Sequence, residues 1–201
     1  RYQFNISLHK AILETQEIHQ SFALLFIDLD NFKYINDTMG HEIGDAFLRE
    51  VGNRLKSVIR TSDIVARFGG DEFVLILKNL RDQDYISNLA DKVREVINTI
   101  FIIESKEIYA SASIGIALYP QDGKTASELL KSADMAMYSA KNTGKNAYQF
   151  FMPEMNLAIS EKLNYEESLR YAMQHNEFEF HYQPKHCLNS NRIIKAEGLL
   201  R

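Results

Sequence analysis

Residues 64–77 read IVARFGGDEFVLIL. Two apolar runs, Ile64-Val65-Ala66 and Phe73-Val74-Leu75-Ile76-Leu77, enclose a pair of glycines followed by a pair of carboxylates. Apolar β-formers on both sides of a Gly-Gly turn are the pattern of a β-hairpin. Such a hairpin has no structural need of Asp71 and Glu72 side by side at its tip, where adjacent like charges repel. The pair calls for a cation or for a role.

The surrounding pattern fixes the fold class. FALLFI at 22–27 is a continuous apolar run, as in a strand covered on both faces, and it ends at Asp28-Leu29-Asp30. Before it, Phe4, Leu8, Ala11, Ile12 and Leu13 recur at helical spacing over 4–17. Apolar positions 43, 47, 51, 55 and 58 share one helical face, predicting a helix over 43–59. A second long helix is expected over 83–100. IYASASIGIALYP (108–120) reads as a central strand stopped by Pro120, and a helix over 126–142 is ended by Gly144, with a short strand near 146–151. Strand, helix, strand, strand, helix, strand, with one extra helix, is the split βαβ plan of a ferredoxin-like α/β (α+β) fold. After Pro153 the character changes to a charged helix, then FEFHYQP and RIIKAEGLL as two strands joined at Asn189-Ser190-Asn191. The expected division is a domain over 1–152, a linker helix over 153–176, and over 177–201 a partial β-hairpin too small to close its own core.

Composition narrows the function. The 201 residues are 45% hydrophobic and 25% charged, an ordinary globular balance. Lys+Arg 23 against Asp+Glu 27 leaves a formal charge of −4, which gives no footprint for DNA or RNA. A phosphate ligand must then be met by local cations or metal ions. Cys187 is the single cysteine, so an intrachain disulfide is impossible and a reducing cytoplasm fits. No apolar run reaches the roughly 18 residues that span a bilayer, so no membrane contact by this stretch is expected. The start at Arg1, inside a helical pattern, reads as a fragment whose full-length protein could carry a membrane anchor elsewhere.

Asp28 closes one buried strand, and Asp71 and Glu72 lie at the tip of the hairpin. Acidic residues at strand ends and turns ordinarily serve as solvated caps. Converging at one edge of a buried sheet, however, carboxylates need a neutralising cation. Mg²⁺ prefers such oxygen ligands and shares its shell with substrate phosphates. The arrangement suits a palm-like site in which metal ions activate a hydroxyl and stabilise phosphoryl charge. Gly69 and Gly70 serve equally a turn needing positive φ and a close approach of backbone N–H groups to phosphate.

Four landmarks stand in order: FIDLDNFKYINDTMGHEIGD (26–45), RFGGDEF (67–73), SASIGIA (111–117) and ADMAMYSAKNTGKN (133–146). Together they resemble the GGDEF domains, the diguanylate cyclases, over about residues 1–150. The resemblance implies a fold related to nucleotidyl cyclases and polymerase palms, and condensation of two GTP into cyclic di-GMP with release of pyrophosphate. It implies Mg²⁺ or Mn²⁺ held by Asp28, Asp71 and the Leu29 carbonyl, with Asp71 or Glu72 helping to deprotonate the attacking 3′-OH. Asn36 and Asp45 would read the guanine edge, Lys141 and Lys145 would hold the β- and γ-phosphates, and backbone N–H groups near Asn31 and Phe32 would assist. Without the resemblance, Asn36 is a turn former, Asp45 an exposed helix residue, and the two lysines complements to a helix dipole. The resemblance implies one GTP per domain, so that catalysis would require a homodimer.

Five residues separate Arg60-Thr61-Ser62-Asp63 from Gly69, the spacing at which the resemblance implies an inhibitory site for the family's own product. A guanidinium suits guanine O6/N7 or phosphate, and a carboxylate suits a guanine donor edge. The resemblance equally allows a silent module that binds GTP or cyclic di-GMP and regulates an attached phosphodiesterase. At the C-terminus YQPK (182–185) and AEGLLR (196–201) resemble the entry to an EAL-type phosphodiesterase domain. Glu197 falls at that family's first metal-binding glutamate and Gln183 near its ligand. The family's Glu-Ala-Leu is Glu-Gly-Leu here, and its remaining ligands lie beyond Arg201. The Asp-x-Leu-Thr-Gly-Leu-x-Asn stretch usual just before the position of Arg1 is not in the sequence.

Overall fold

A computed structural model describes residues 2–18, 20–80 and 83–201, apart from the side chains of 17, 18, 83, 157–163 and 166. In chain order the elements are α1 (Tyr2–Ile18), β1 (Phe22–Leu29), α2 (Phe32–Met39), α3 (His41–Val58), β2 (Ile64–Gly69) and β3 (Glu72–Leu77). There follow α4 (Gln83–Asn98), β4 (Phe101–Ile103), β5 (Lys106–Ile108), β6 (Ala112–Tyr119), α5 (Ala126–Asn142) and β7 (Tyr148–Phe150), then α6 (Glu154–Gln174), β8 (Phe180–Cys187) and β9 (Arg192–Leu200). The chain forms two compact units, residues 1–155 and 156–201.

The first unit is built on a five-stranded sheet in the order β2-β3-β1-β6-β7, antiparallel except for the parallel β6–β7 pair. This is the mixed α/β architecture expected from the sequence. β1 is buried along its whole length, which is why its sequence shows no polar alternation until Asp28. Successive side chains of a strand point to opposite faces. Ala23, Leu25 and Ile27 join Leu75 and Leu77 under α3 and α4, with Phe47, Val51, Val93 and Ile97. Phe22, Leu24 and Phe26 join Val74 and Ile76 under α1 and α5, with Phe4, Leu8, Leu129 and Met137. By this alternation Asp28 and Glu72 fall on the α1/α5 face.

Helix α5 sits close on the sheet. A Cβ on Gly115 of β6 would run into the Ala133 carbonyl and the Met137 amide, so only glycine permits this approach. A Thr125–Glu128 capping box fixes where α5 starts, a feature worth about 1 kcal/mol. Start and height thus place the last turn of α5, which carries Lys141, over the C-terminal end of β1.

Two elements depart from the sequence reading. Residues 32–39, read as a turn around Asn36, form helix α2, which buries Phe32 and Ile35. Between α4 and the central strand the chain makes a separate small hairpin, β4–β5, and β6 begins at Ala112 rather than at 108. Phe101 of that hairpin is fully buried against Phe47, with ring centroids 4.7 Å apart.

In the second unit, β8 and β9 pair antiparallel, with Gln183 opposite Glu197. Among the described residues no helix is long and apolar enough to cross a membrane.

Candidate functional site

The site lies where the C-terminal end of β1 meets the β2–β3 turn. Asp28 and Glu72 are direct cross-strand partners. The Leu29 N–H donates to the Asp71 carbonyl (3.3 Å), tying the two acidic segments together. Gly69 is the last residue of β2, and Gly70 alone of the pair takes positive φ, 48°. Arg67 Nε donates to the Gly70 carbonyl at 2.8 Å and steadies the turn. The two glycines therefore do separate jobs.

The Asp28 side chain is only 12% exposed, and its Oδ1 is 2.7 Å from Lys141 Nζ. Burial is the largest influence and lifts the Asp28 carboxyl above its ordinary range; Lys141 opposes this, and the charges of Asp71 and Asp30 add to it. Glu72 is likewise raised, first by burial and then by Asp28, Asp134 and Asp71, with Lys141 opposing. Asp134, two helical turns before Lys141 on α5, is raised by burial against the same lysine. The site is thus an excess of half-buried carboxylates around one ammonium group. Asp134 stands in the 133–146 motif but was not singled out; only the packing of α5 on the sheet brings it here.

These donors suit a hard divalent cation. They are oxygens, and the Lys141 ammonium stands against Asp28 where a cation's charge is needed. Among the described residues no three His, Cys, Asp or Glu side chains are grouped to hold a metal unaided. A metal at Asp28, Asp71 and the Leu29 carbonyl would complete its shell with oxygens from a ligand, as Mg²⁺ does with phosphates.

Two further groups flank the carboxylates. Asn31 adopts a left-handed conformation (φ 60°) immediately before α2, makes no side-chain cap, and accepts instead from Lys145 Nζ at 2.8 Å. Lys145 and the Asn31–Phe32 end of α2 thereby form one polar corner, with the helix N-terminus adding its positive dipole end. On the other side, the Asn36 side chain lies against Gly44 of α3, next to the exposed Asp45. A Cβ at 44 would run into Asn36 Oδ1. Gly44→Ala gains up to about 1 kcal/mol of helix propensity, set against the displacement of the Asn36 side chain that it forces, so little net change in domain stability is expected. Because it displaces the Asn36 amide, it should weaken guanine-nucleotide binding severalfold. Calorimetric titration with GTP beside a thermal melt reads both effects.

Arg60 and Asp63 lie apart, with the length of β2 between them and the acidic turn. Asp63 is buried, and its carboxylate accepts from the backbone N–H groups of Arg60 and Lys78, each at 3.1 Å. It shapes the turn from within, whereas the sequence reading gave it a ligand-facing edge. Arg60 is exposed, its guanidinium 4.3 Å from the centre of the Tyr85 ring. In the second unit Glu197 pairs with Lys185 at 2.7 Å.

Asp30 was also not singled out. It is 6% exposed and accepts from Ser111 Oγ (2.6 Å), Ser113 Oγ (2.8 Å) and the Asn146 N–H (3.1 Å). The only sequence hint was the alternation of Ser111 and Ser113, which acquires meaning once β6 is placed beside β1.

Residues 1–147 match the family model described as diguanylate cyclase, GGDEF domain. The chain belongs to this family. It is 43% identical over 194 residues to the bifunctional diguanylate cyclase/cyclic di-GMP phosphodiesterase MucR of Pseudomonas aeruginosa, covering 96% of this chain and 28% of MucR. It is 37% identical to the cyclic di-GMP phosphodiesterase NbdA of the same organism, over 90% of this chain and 23% of NbdA. The chain thus spans about a quarter of the length of these relatives. The structure of a delta-N mutant of YfiN (TpbB) from P. aeruginosa, comprising only the GGDEF domain, superposes with a TM-score of 0.77 at 35% identity, covering 80% of this chain and 94% of that one.

Proposed function

We propose that residues 1–152 act as a diguanylate cyclase, joining two GTP into cyclic di-GMP and two pyrophosphates across a pair of identical domains. The observation that carries this is the in-register pair Asp28–Glu72, facing Lys141 and flanked by the Asn31–Lys145 and Asn36–Asp45 groups. A metal bound at Asp28, Asp71 and the Leu29 carbonyl supplies charge neutralisation for phosphoryl transfer. Asn36 and Asp45 orient the guanine, the carboxylate accepting from N1–H and the exocyclic amine. Lys145 and the start of α2 hold the terminal phosphates, and Lys141 leaves Asp28 to join them. Asp71 or Glu72 accepts the proton of the attacking 3′-OH; burial, then the charges of Asp28, Asp134 and Asp71, raise the Glu72 carboxyl. The 3′-oxygen of one GTP forms a bond to the α-phosphorus of the other, the bond to the β-phosphate oxygen breaks, and pyrophosphate leaves. Repeating this in the reverse sense closes the ring.

One domain holds one nucleotide, so the rate per domain must rise with protein concentration before it saturates. Initial rates measured across a hundredfold dilution that reaches the monomer, as read by light scattering, test this; a constant specific rate over the range where the dimer dissociates would rule out the two-domain reaction. Product is proposed to bind at Arg60, with Asp63 holding the turn that presents it. Arg60→Ala is expected to raise the inhibitory concentration of cyclic di-GMP by about tenfold or more, as loss of a charge-assisted contact implies. An unchanged inhibition curve would remove that site.

A second reading is favoured by the similarity to NbdA, whose name states phosphodiesterase activity alone. In it the domain binds GTP or cyclic di-GMP and regulates an EAL-type domain whose first strands are β8 and β9, with Gln183 and Glu197 paired at its entry. Both readings place the domain in the cytoplasm, where GTP is available.

A further inference from the structure

Lys145 and Asn146 are consecutive non-glycine residues in the left-handed region, at φ 63° and 46°. Such backbone persists only where its surroundings over-determine it. Lys145 N–H still caps α5 through the Ala140 carbonyl (3.2 Å), but Asn146 is held from outside by three partners. Its N–H donates to Asp30 Oδ2 (3.1 Å), its carbonyl accepts from Arg94 Nε (3.0 Å), and its Oδ1 accepts from Asn98 Nδ2 (3.0 Å). Arg94 is itself fixed by Asp91 at 2.8 Å. The end of α4 is anchored in turn, because Arg54 of α3 donates to the Val96, Thr99 and Ile100 carbonyls at 2.8, 2.6 and 2.8 Å.

From this geometry we propose that Arg94 and Asn98 of α4 are positioning residues for the triphosphate, acting through Asn146 to hold Lys145 against Asn31. Neither residue belongs to the polar corner formed by Lys145 and Asn31. They set the left-handed turn that aims the Lys145 ammonium at the first turn of α2. The consequence is selective. Loosening the turn costs affinity for the β- and γ-phosphates and leaves the guanine pocket of Asn36 and Asp45 intact. Any partner that displaces the exposed Asn98 would lower triphosphate affinity from outside the site. The inference rests on the assignment of Lys145 to the terminal phosphates.

The test compares binding of GMP and of a non-reacting GTP analogue by calorimetry, with Mg²⁺ present, in the parent, Lys145→Ala, Asn98→Ala, Arg94→Ala and Arg94→Lys proteins. Asn98→Ala and Arg94→Ala are expected to weaken the analogue about tenfold with GMP unchanged, as loss of a clamping hydrogen bond predicts. Arg94→Lys should fail to restore binding, because an ammonium cannot serve the Asn146 carbonyl and Asp91 in the guanidinium's fork geometry. Equal losses for GMP and analogue in the α4 variants would mark a merely structural role and overturn the proposal. So would unchanged analogue binding in those variants while Lys145→Ala lowers it. Unchanged analogue binding in Lys145→Ala would instead overturn the phosphate assignment beneath it.

Discussion

Asp28→Asn is expected to suppress cyclic di-GMP formation by at least about a hundred- to a thousandfold, the scale of losing one preorganised electrostatic group, while leaving the domain no less stable at pH 7. The two halves have separate physical causes. For activity, Asp28 is the more buried of the two carboxylates of the candidate metal site, and an amide carries no charge for a cation. For stability, burial outweighs the Lys141 contact and raises the Asp28 carboxyl in the folded state. A raised folded-state value means the folded chain binds the proton more tightly than the unfolded chain. Ionisation therefore erodes stability as pH climbs from the ordinary carboxylate range through the raised value. Asparagine escapes that loss, and Lys141, with 30% of its side chain exposed, can turn toward Asp134 or solvent. Melting curves should show the variant at or above the parent at neutral pH, with the difference shrinking toward acid. A variant clearly less stable at pH 7 would mean the ion pair outweighs burial.

Lys141→Gln is the second large effect, and it has two signs. Turnover should fall about a hundredfold, since a phosphate loses its compact cation. Binding of Mn²⁺ without nucleotide should tighten about tenfold, because Lys141 occupies the charge-neutralising position at Asp28 that a metal must take. In the parent chain a bound triphosphate would draw Lys141 away from Asp28 and so free that carboxylate for a metal. Titration of Mn²⁺ followed by paramagnetic resonance reads this directly. Equal Mn²⁺ affinity in parent and variant would show that Lys141 does not contend with the metal.

Much of this architecture was legible in the sequence because burial imposes strong patterns. FALLFI suits a strand covered on both faces, and RFGGDEF between apolar runs carries the pattern of a hairpin tip; both form as read. Helix α2 was not legible. Its eight residues bury only Phe32 and Ile35 and run through Asn36, Asp37 and Thr38, residues that favour turns. The β4–β5 hairpin was hidden because FIIESKEI has too few residues on each side of its turn to show an alternation.

The site divides along the same line. Residues proposed to bear chemistry lie within contiguous motifs, and the sequence offers them as candidates. It does not offer those that act through tertiary contact. Asp30 and Asp28 are two residues apart in one acidic run, yet Asp28 faces α5 and Lys141 while Asp30 ties β6 to the Asn146 turn. Only the register of β1 against β6 separates their roles. Asp134 needed the close approach of α5 at Gly115, and the Arg94–Asn146 contact spans 52 residues of chain. Asp63 shows the converse. Its spacing from the glycines was clear, but its inward orientation depends on the Lys78 N–H at the far end of β3.

The most direct measurement is product identity. The protein is incubated at high concentration with GTP and Mg²⁺, denatured to release bound nucleotide, and analysed by chromatography and mass. The account predicts cyclic di-GMP and pyrophosphate in a ratio of one to two, both vanishing in Asp71→Asn. GTP recovered intact, although the domain binds it, would contradict the cyclase assignment and leave a nucleotide-binding regulatory module in its place.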